Sequence, residues 1–284
     1  MPMFRIRRFG NLTAVALIAV LSFFAAYASD RPVVVKGELK GSWKVPDGPW
    51  DGRAVILLHG FADDMDGVGD LSKHLTDVLA TNGIASLRIN FRGEGDRRRT
   101  VIESTFLTRI EDTENAYEFL LRQPGVKLDH LGCIGWSLGG ATELEVLGRH
   151  SLWFRTGVVW STPTGDLEKF IMSRPGAAEA VRNGVSTYDA GWKKITTYRA
   201  YYESFHGVDL NRSIAKYPGA LLAVRGSMDF VPNGDPDLMK YAPGLPREAV
   251  LIGGADHIFN VFEPEKGLAE RAVRVTADWL GRTL

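Results

Sequence analysis

Ser137 stands between two glycines in Gly135-Trp136-Ser137-Leu138-Gly139, the G-x-S-x-G spacing of a tight strand-to-helix turn that presents a serine hydroxyl for attack on an acyl carbon. With 31 glycines in 284 residues the pentapeptide decides little by itself, so its surroundings must. It follows the apolar run Leu131 to Ile134 and precedes a helical candidate, Ala141 to His150, which is the context such a turn requires. The turn forces the serine into a strained backbone conformation, and glycines two before and two after remove side chains that would collide where strand and helix meet. The opposing reading is a helix-capping serine in a glycine-rich turn.

A serine hydroxyl is a poor nucleophile until a base takes its proton. Of the six histidines, His257 follows the short apolar run Ala249 to Ile252 and is expected at the carboxyl edge of a sheet beside Ser137. His59 also follows a strand, but its neighbours Gly60 and Phe61 point to a supporting role through hydrogen bonds. His74 and His150 fall in helical patterns, His130 begins a strand at the opposite edge, and His206 lies in an irregular region. A carboxylate must then hold the imidazole in one tautomer and stabilise its protonated form. Asp229, after the run Ala220 to Val224, arrives at the same edge; Asp235 and Asp237 lie further along, and Asp256 sits too close to His257 in sequence to turn back to its ring. Donors for a developing oxyanion are expected from the backbone N–H groups of Leu138, next after the serine, and Phe61, in the sharp turn off a central strand.

These residues need a sheet to bring them together. Ala54 to Leu58, Ile84 to Ile89, Leu131 to Ile134, Val158 to Trp160, Ala220 to Val224 and Ala249 to Ile252 are apolar runs, as expected for strands buried on both faces. Leu71 to Thr81, Arg109 to Arg122, Ala141 to His150 and Pro264 to Leu280 are the helical candidates between and after them. The alternation predicts an α/β fold with a doubly wound, mostly parallel sheet, whose ligand site lies outside the carboxyl ends of the strands. Residues 163–212 break the pattern. Tyr198, Tyr201, Tyr202 and Phe205 recur there at helical spacing, so the segment reads as a short helical lid insertion over the strand ends. Trp136, Tyr198, Tyr201 and Tyr202 are the candidates for lining a substrate pocket, although an aromatic stripe at that spacing is more often the packed face of a helix.

Composition narrows the partners. Lysine plus arginine equals aspartate plus glutamate at 34 each, so no net positive field gathers nucleic acid, and a small-molecule substrate is expected instead. Arg5, Arg7 and Arg8, then an apolar run from Leu12 to Ala26 and the small-x-small site Ala26-Tyr27-Ala28, read as a signal peptide over 1–28. That leaves one domain over 29–284 in a periplasmic or secreted protein, a monomer or homodimer, touching membrane only if the leader stays uncleaved. Cys133 is the only cysteine, so no intrachain disulfide forms. Metal-ligand spacings are absent, and neither metal nor cofactor is expected.

Five ordered motifs carry a resemblance: His59-Gly60-Phe61, Asn90-Phe91-Arg92-Gly93-Glu94-Gly95, Gly135-Trp136-Ser137-Leu138-Gly139-Gly140, Gly226 with Asp229 and Val231-Pro232, and Asp256-His257. Together they resemble the α/β hydrolase superfamily, in its serine-aminopeptidase-like and cinnamoyl or feruloyl-esterase-like branch. The resemblance implies the α/β hydrolase fold with a lid, a triad of Ser137, Asp229 and His257, and oxyanion donors at Phe61 and Leu138. The order Ser, Asp, His along the chain agrees with it. A departure follows Gly95, where Asp96-Arg97-Arg98-Arg99 replaces the small turn usual in that branch. The arginines either attract an acidic substrate or form a solvated run, the commoner case. The expected activity is hydrolysis of carboxylic esters through an acyl-enzyme; a peptidase or amidase on the same triad, or a non-catalytic binding protein of this fold, are the alternatives.

Overall fold

Strands that read as unbroken apolar runs are those that bury side chains on both faces, and the computed structural model, which describes residues 30–284, bears this out in its central sheet. The leader expected over 1–28 lies outside the described residues. The chain opens with β1 (Arg31–Lys36) and β2 (Leu39–Lys44), then β3 (Ala54–Leu58), α1 (Leu71–Thr81), β4 (Ala85–Asn90), β5 (Val101–Ile102), α2 (Phe106–Leu121), β6 (Leu131–Trp136), α3 (Leu138–Arg149) and β7 (Thr156–Trp160). The segment over the strand ends holds α4 (Leu167–Met172), α5 (Ala177–Asn183), β8 (Val185–Asp189), β9 (Lys194–Tyr198), α6 (Arg199–Glu203) and α7 (Leu210–Ile214). It returns to the sheet through β10 (Ala220–Gly226), α8 (Asp235–Tyr241), β11 (Arg247–Ile252) and α9 (Leu268–Thr283).

Eight strands pair in the order β1-β2-β4-β3-β6-β7-β10-β11. The pairs β1–β2 and β2–β4 are antiparallel and the rest parallel. Every residue of β3, β6, β7 and β10 is buried, whereas β11, at the edge, alternates between exposed and covered positions. Side chains of successive residues leave opposite faces of a strand. Val55 and Leu57 accordingly join Leu75, Leu79 and Trp279 in the layer under α1 and α9, while Ile56 and Leu58 join Ile110 and Leu144 in the layer under α2 and α3. The sheet is therefore wound on both faces, as the alternation implies.

Three differences from the sequence reading have local causes. Helix α2 begins at Phe106, three residues before the expected Arg109, because Thr105 and Thr108 form a reciprocal cap, each side chain accepting from the other's backbone N–H at 3.1 and 2.8 Å. A final 3-10 turn at Pro264–Lys266 ends on Gly267 at φ 64°, so α9 starts at Leu268 rather than Pro264. The segment over the strand ends is not wholly helical. Its strands β8 and β9 form a hairpin, and β9 pairs with β5 to make a separate three-stranded sheet. Tyr198 closes β9, and the helix of the aromatic stripe starts only at Arg199.

Candidate active site

Ser137 sits at the junction of β6 and α3 with φ 53° and ψ −119°, a left-handed conformation that costs a non-glycine residue free energy and is held by its surroundings. Its N–H donates to the carbonyl of Trp160 at 2.7 Å. The flanking glycines are required by close approach. A Cβ on Gly135 would stand 2.5 Å from the Gly139 carbonyl oxygen and the Gly140 backbone, and one on Gly139 would overlap the carbonyl of Leu58. Strand, turn and helix thus touch through backbone alone.

His257 Nε2 lies 3.1 Å from Ser137 Oγ, and His257 Nδ1 lies 2.7 Å from Asp229 Oδ1. The three groups come from the carboxyl ends of β6, β10 and β11, neighbours in the parallel part of the sheet apart from the intervening β7. Asp229 Oδ1 also accepts from the Val231 N–H at 2.9 Å, and Oδ2 accepts from Arg225 Nη1 at 3.1 Å. Burial pushes the Asp229 carboxyl up, but the His257 hydrogen bond and charge, the Val231 N–H and the Arg225 guanidinium together hold it below the ordinary carboxylate value. An ionised Asp229 fixes the tautomer in which Nδ1 carries the proton, leaving Nε2 as acceptor toward Ser137. Asp256 is spent on its own loop, accepting from the N–H groups of Ile258 and Asn260 at 2.9 and 2.8 Å. Trp136 Nε1 donates to the His257 carbonyl at 3.2 Å and so braces that loop.

Above the serine, neither the Phe61 N–H nor the Leu138 N–H is engaged by another group among the described residues. The Leu138 N–H begins α3, where the first N–H groups have no partner within the helix. The Phe61 loop is held from behind. Ala62, at φ 55°, donates its N–H to Glu94 Oε2 at 2.9 Å, and Glu94 is paired with the buried Arg109. Arg109 also donates to the His59 carbonyl at 2.6 Å and to Thr142 Oγ1 at 3.2 Å. Burial is the largest influence on Glu94 and raises it, yet the Arg109 charge and the other hydrogen bonds keep the carboxyl below its ordinary value. Sequence reasoning named the Asn90 to Gly95 motif without this role, and it missed Arg109, whose signal was a charged residue at a helix start.

His59 does not serve the serine. Its Nε2 accepts from the Phe91 N–H at 3.1 Å and its Nδ1 faces the Gly60 carbonyl at 2.8 Å, so both nitrogens hold the loop. Burial drives its imidazole down to about 4, against a smaller upward pull from Glu94. The remaining histidines face carboxylates elsewhere: His74 faces Glu270, His130 Asp129, His150 Glu114 and His206 Glu168.

Ser137 and His257 open onto a cavity of about 1050 Å³ beneath the residue 163–212 segment. Phe61, Trp136, Leu138, Tyr201 and Tyr202 line it, with Phe230 covering the His257 ring at 4.4 Å between centroids. Tyr198 does not line it; as the last residue of β9 it turns outward and is 41% exposed, which corrects its assignment to the pocket. Phe205 is buried against Phe106 at 4.9 Å, behind the wall. The arginines of the run stand beside carboxylates, and Arg97 also lines the cavity. Arg97 is paired with Asp64 and Asp70, Arg98 with Asp96 and Arg99 with Glu103. Polar groups unforeseen from sequence also reach the cavity, Asp63 and Arg174 among them.

Residues 52–197 match the family described as serine aminopeptidase, S33. No curated protein sequence matches the chain. Among solved structures, Est1E from Butyrivibrio proteoclasticus superposes with a TM-score of 0.70 at 16% identity, over 88% of this chain and 98% of that one. The esterase domain of a Rhodothermus marinus protein gives 0.63 at 21% identity, over 86% and 92%. A puromycin-hydrolyzing peptidase of Mycobacterium tuberculosis gives 0.64 at 17% identity, over 94% of this chain and 41% of that one. At such identities the likeness is one of fold.

Proposed function

The chain belongs to the serine aminopeptidase S33 family and has the α/β hydrolase fold, and from that premise we propose that it hydrolyses carboxylic esters through an acyl-enzyme on Ser137. The observation that carries the reading is the line of contacts from Asp229 through His257 to Ser137, at 2.7 and 3.1 Å, at the floor of a large apolar cavity. In the proposed mechanism Ser137 Oγ bonds to the acyl carbon as its proton passes to His257 Nε2, and Asp229 stabilises the imidazolium. The carbonyl oxygen, now carrying the negative charge, accepts from the Phe61 and Leu138 N–H groups, each worth roughly 2.7–4 kcal/mol to the transition state. Collapse breaks the bond to the alkoxy oxygen, which leaves with the proton from His257. A water then loses its proton to His257 and attacks the acyl carbon. Release of the acid returns the proton to Ser137.

Esters are preferred over amides in this reading because two of the similar structures are an esterase domain and Est1E, one form of which was solved with ferulic acid bound. The peptidase reading keeps the same groups and is favoured by the family description and by the puromycin-hydrolyzing relative in fold. Short-acyl, long-acyl and aryl esters assayed beside an aminoacyl anilide separate the two: the ester reading expects the best ester to exceed the anilide in kcat/KM, and the reverse order moves the protein to the peptidases. We also place the mature protein, residues 29–284, in the periplasm or outside the cell, on the pattern of residues 1–28. Export to the culture medium or periplasm of the full chain, and retention of one lacking those residues, is the expected result.

A further inference from the structure

Two residues beyond Phe61, Asp63 lines the cavity although it is only 5% exposed, and its Oδ2 is buried with no hydrogen-bond partner among the described residues. A carboxylate oxygen buried without a donor is costly and needs a reason. Cations stand near, but their hydrogen bonds go elsewhere. Arg97 gives Nε and Nη2 to Asp64 at 2.7 and 2.8 Å and a further bond to Asp70 at 3.1 Å. Lys193, at the tip of the β8–β9 hairpin, gives its ammonium to the carbonyls of Ala62, Arg97 and Arg99 at 2.9, 3.0 and 2.9 Å. The backbone leading into Asp63 is fixed on both sides of a left-handed residue, with the Ala62 N–H on Glu94 and the Ala62 carbonyl on Lys193. Strain held in this way at a cavity wall is characteristic of positions that serve a ligand. The cavity lining also carries the apolar or aromatic Phe61, Val68, Trp136 and Tyr201, beside Asp70 and Arg97.

We propose that Asp63 is a substrate-selecting residue, its carboxylate turning an oxygen to the cavity to accept a hydrogen bond from a hydroxyl or protonated amine carried by the substrate. The proposal rests on the ester-hydrolase reading and adds a chemical requirement to it. A donor placed there satisfies the carboxylate; a substrate lacking one leaves it unpaired and forfeits the difference.

The test uses methyl 3-phenylpropanoate and its 3- and 4-hydroxy and 3- and 4-aminomethyl derivatives, with the wild-type chain, Asp63→Ala and Asp63→Asn at pH 8. The quantity read is the ratio of kcat/KM for each donor-bearing ester to that of the parent, with KM and kcat taken separately. The expected result is a wild-type preference for a donor-bearing ester that falls on the order of 10- to 100-fold in Asp63→Ala, mainly through KM. If the natural donor is a hydroxyl, Asp63→Asn keeps much of the preference, because the amide oxygen still accepts. If it is an ammonium, Asp63→Asn loses it as fully as Asp63→Ala. A ratio unchanged between the wild type and both variants overturns the proposal while leaving ester hydrolysis standing, and so does an equal fall for parent and derivatives, which would mark Asp63 as structural. Asp63→Asn, being isosteric, supplies the reading should Asp63→Ala fail to fold. A wild-type chain that turns over none of these esters while cleaving an anilide sinks the ester reading and this proposal with it.

Discussion

Arg225 holds Asp229 from the side opposite His257, donating from Nη1 to Asp229 Oδ2 at 3.1 Å, while its Nε and Nη2 fork onto Asp235 at 2.9 and 2.8 Å. The guanidinium is 1% exposed and also reaches the Val231 carbonyl at 3.2 Å and that of Thr162. One residue of β10 thereby ties the Asp229 turn to the start of α8 and to the end of β7. Asp229 is aimed at His257 by this brace as well as by its own hydrogen bond to the Val231 N–H.

Removing that brace has two separable effects. Arg225→Met leaves Asp229 and Asp235 buried without their guanidinium, and breaking a buried pair in this way costs about 3–5 kcal/mol. The denaturant midpoint is expected to fall accordingly, together with kcat. Adding Asp235→Leu removes one stranded charge, so the double variant should regain part of the stability but not the activity. Recovery of both would mean that Arg225 only balances charge and does not orient Asp229.

His59 makes the fold sensitive to acid. Burial holds its imidazole at about 4, against 6.5 for the free group. Between those values the unfolded chain binds a proton that the folded chain refuses. Stability from this residue is therefore full above 6.5 and is lost as pH falls toward about 4, by roughly 3 kcal/mol in total. Unfolding free energies of wild type and His59→Gln at pH 4.5 and 7.5 check this. The wild type should lose more on acidification than the variant, and equal losses would contradict a buried neutral His59.

Asp63 acts in the opposite sense. Burial raises its carboxyl from 3.8 to about 7, with the neighbouring Asp64 charge adding to the rise. The folded state thus keeps a proton that the unfolded state releases above about 4, so stability declines as pH rises to about 7 and is level beyond it. Asp63→Asn abolishes this loss. The variant should match the wild type near pH 4 and exceed it by up to roughly 4 kcal/mol at pH 8. A variant no more stable than the wild type at pH 8 would show that the carboxylate finds a partner in solution.

The central sheet was legible because its strands bury both faces and so announce themselves as apolar runs: β3 and α1 have the bounds read from the sequence, Ala54–Leu58 and Leu71–Thr81. The hairpin β8–β9 was not. Its strands are short and half-covered, and β9 takes its partner β5 from a two-residue stretch on the far side of α2, β6 and β7, a pairing without local signal. Tyr198 fitted the helical spacing of Tyr201, Tyr202 and Phe205 by coincidence of period, since a strand end leads directly into α6. At the site, the strand ends identified the loops worth inspecting. What those loops turn inward was harder to see. Asp63, Asp64, Asp66 and Asp70 look alike in sequence, and only the fold shows that Arg97 is spent on Asp64 and Asp70, Arg88 on Asp66, and neither on Asp63.

Covalent capture of the acyl group tests the central claim most directly. The wild-type chain would be mixed with a slowly turned-over aryl ester, quenched in acid within the first turnover and read by intact and peptide mass spectrometry, beside Ser137→Ala. The account predicts one acyl group per chain, located on Ser137, absent from the variant, and accompanied by loss of ester turnover in it. An unlabelled wild type that nonetheless hydrolyses the ester, or a Ser137→Ala chain that works at the same rate, would contradict it.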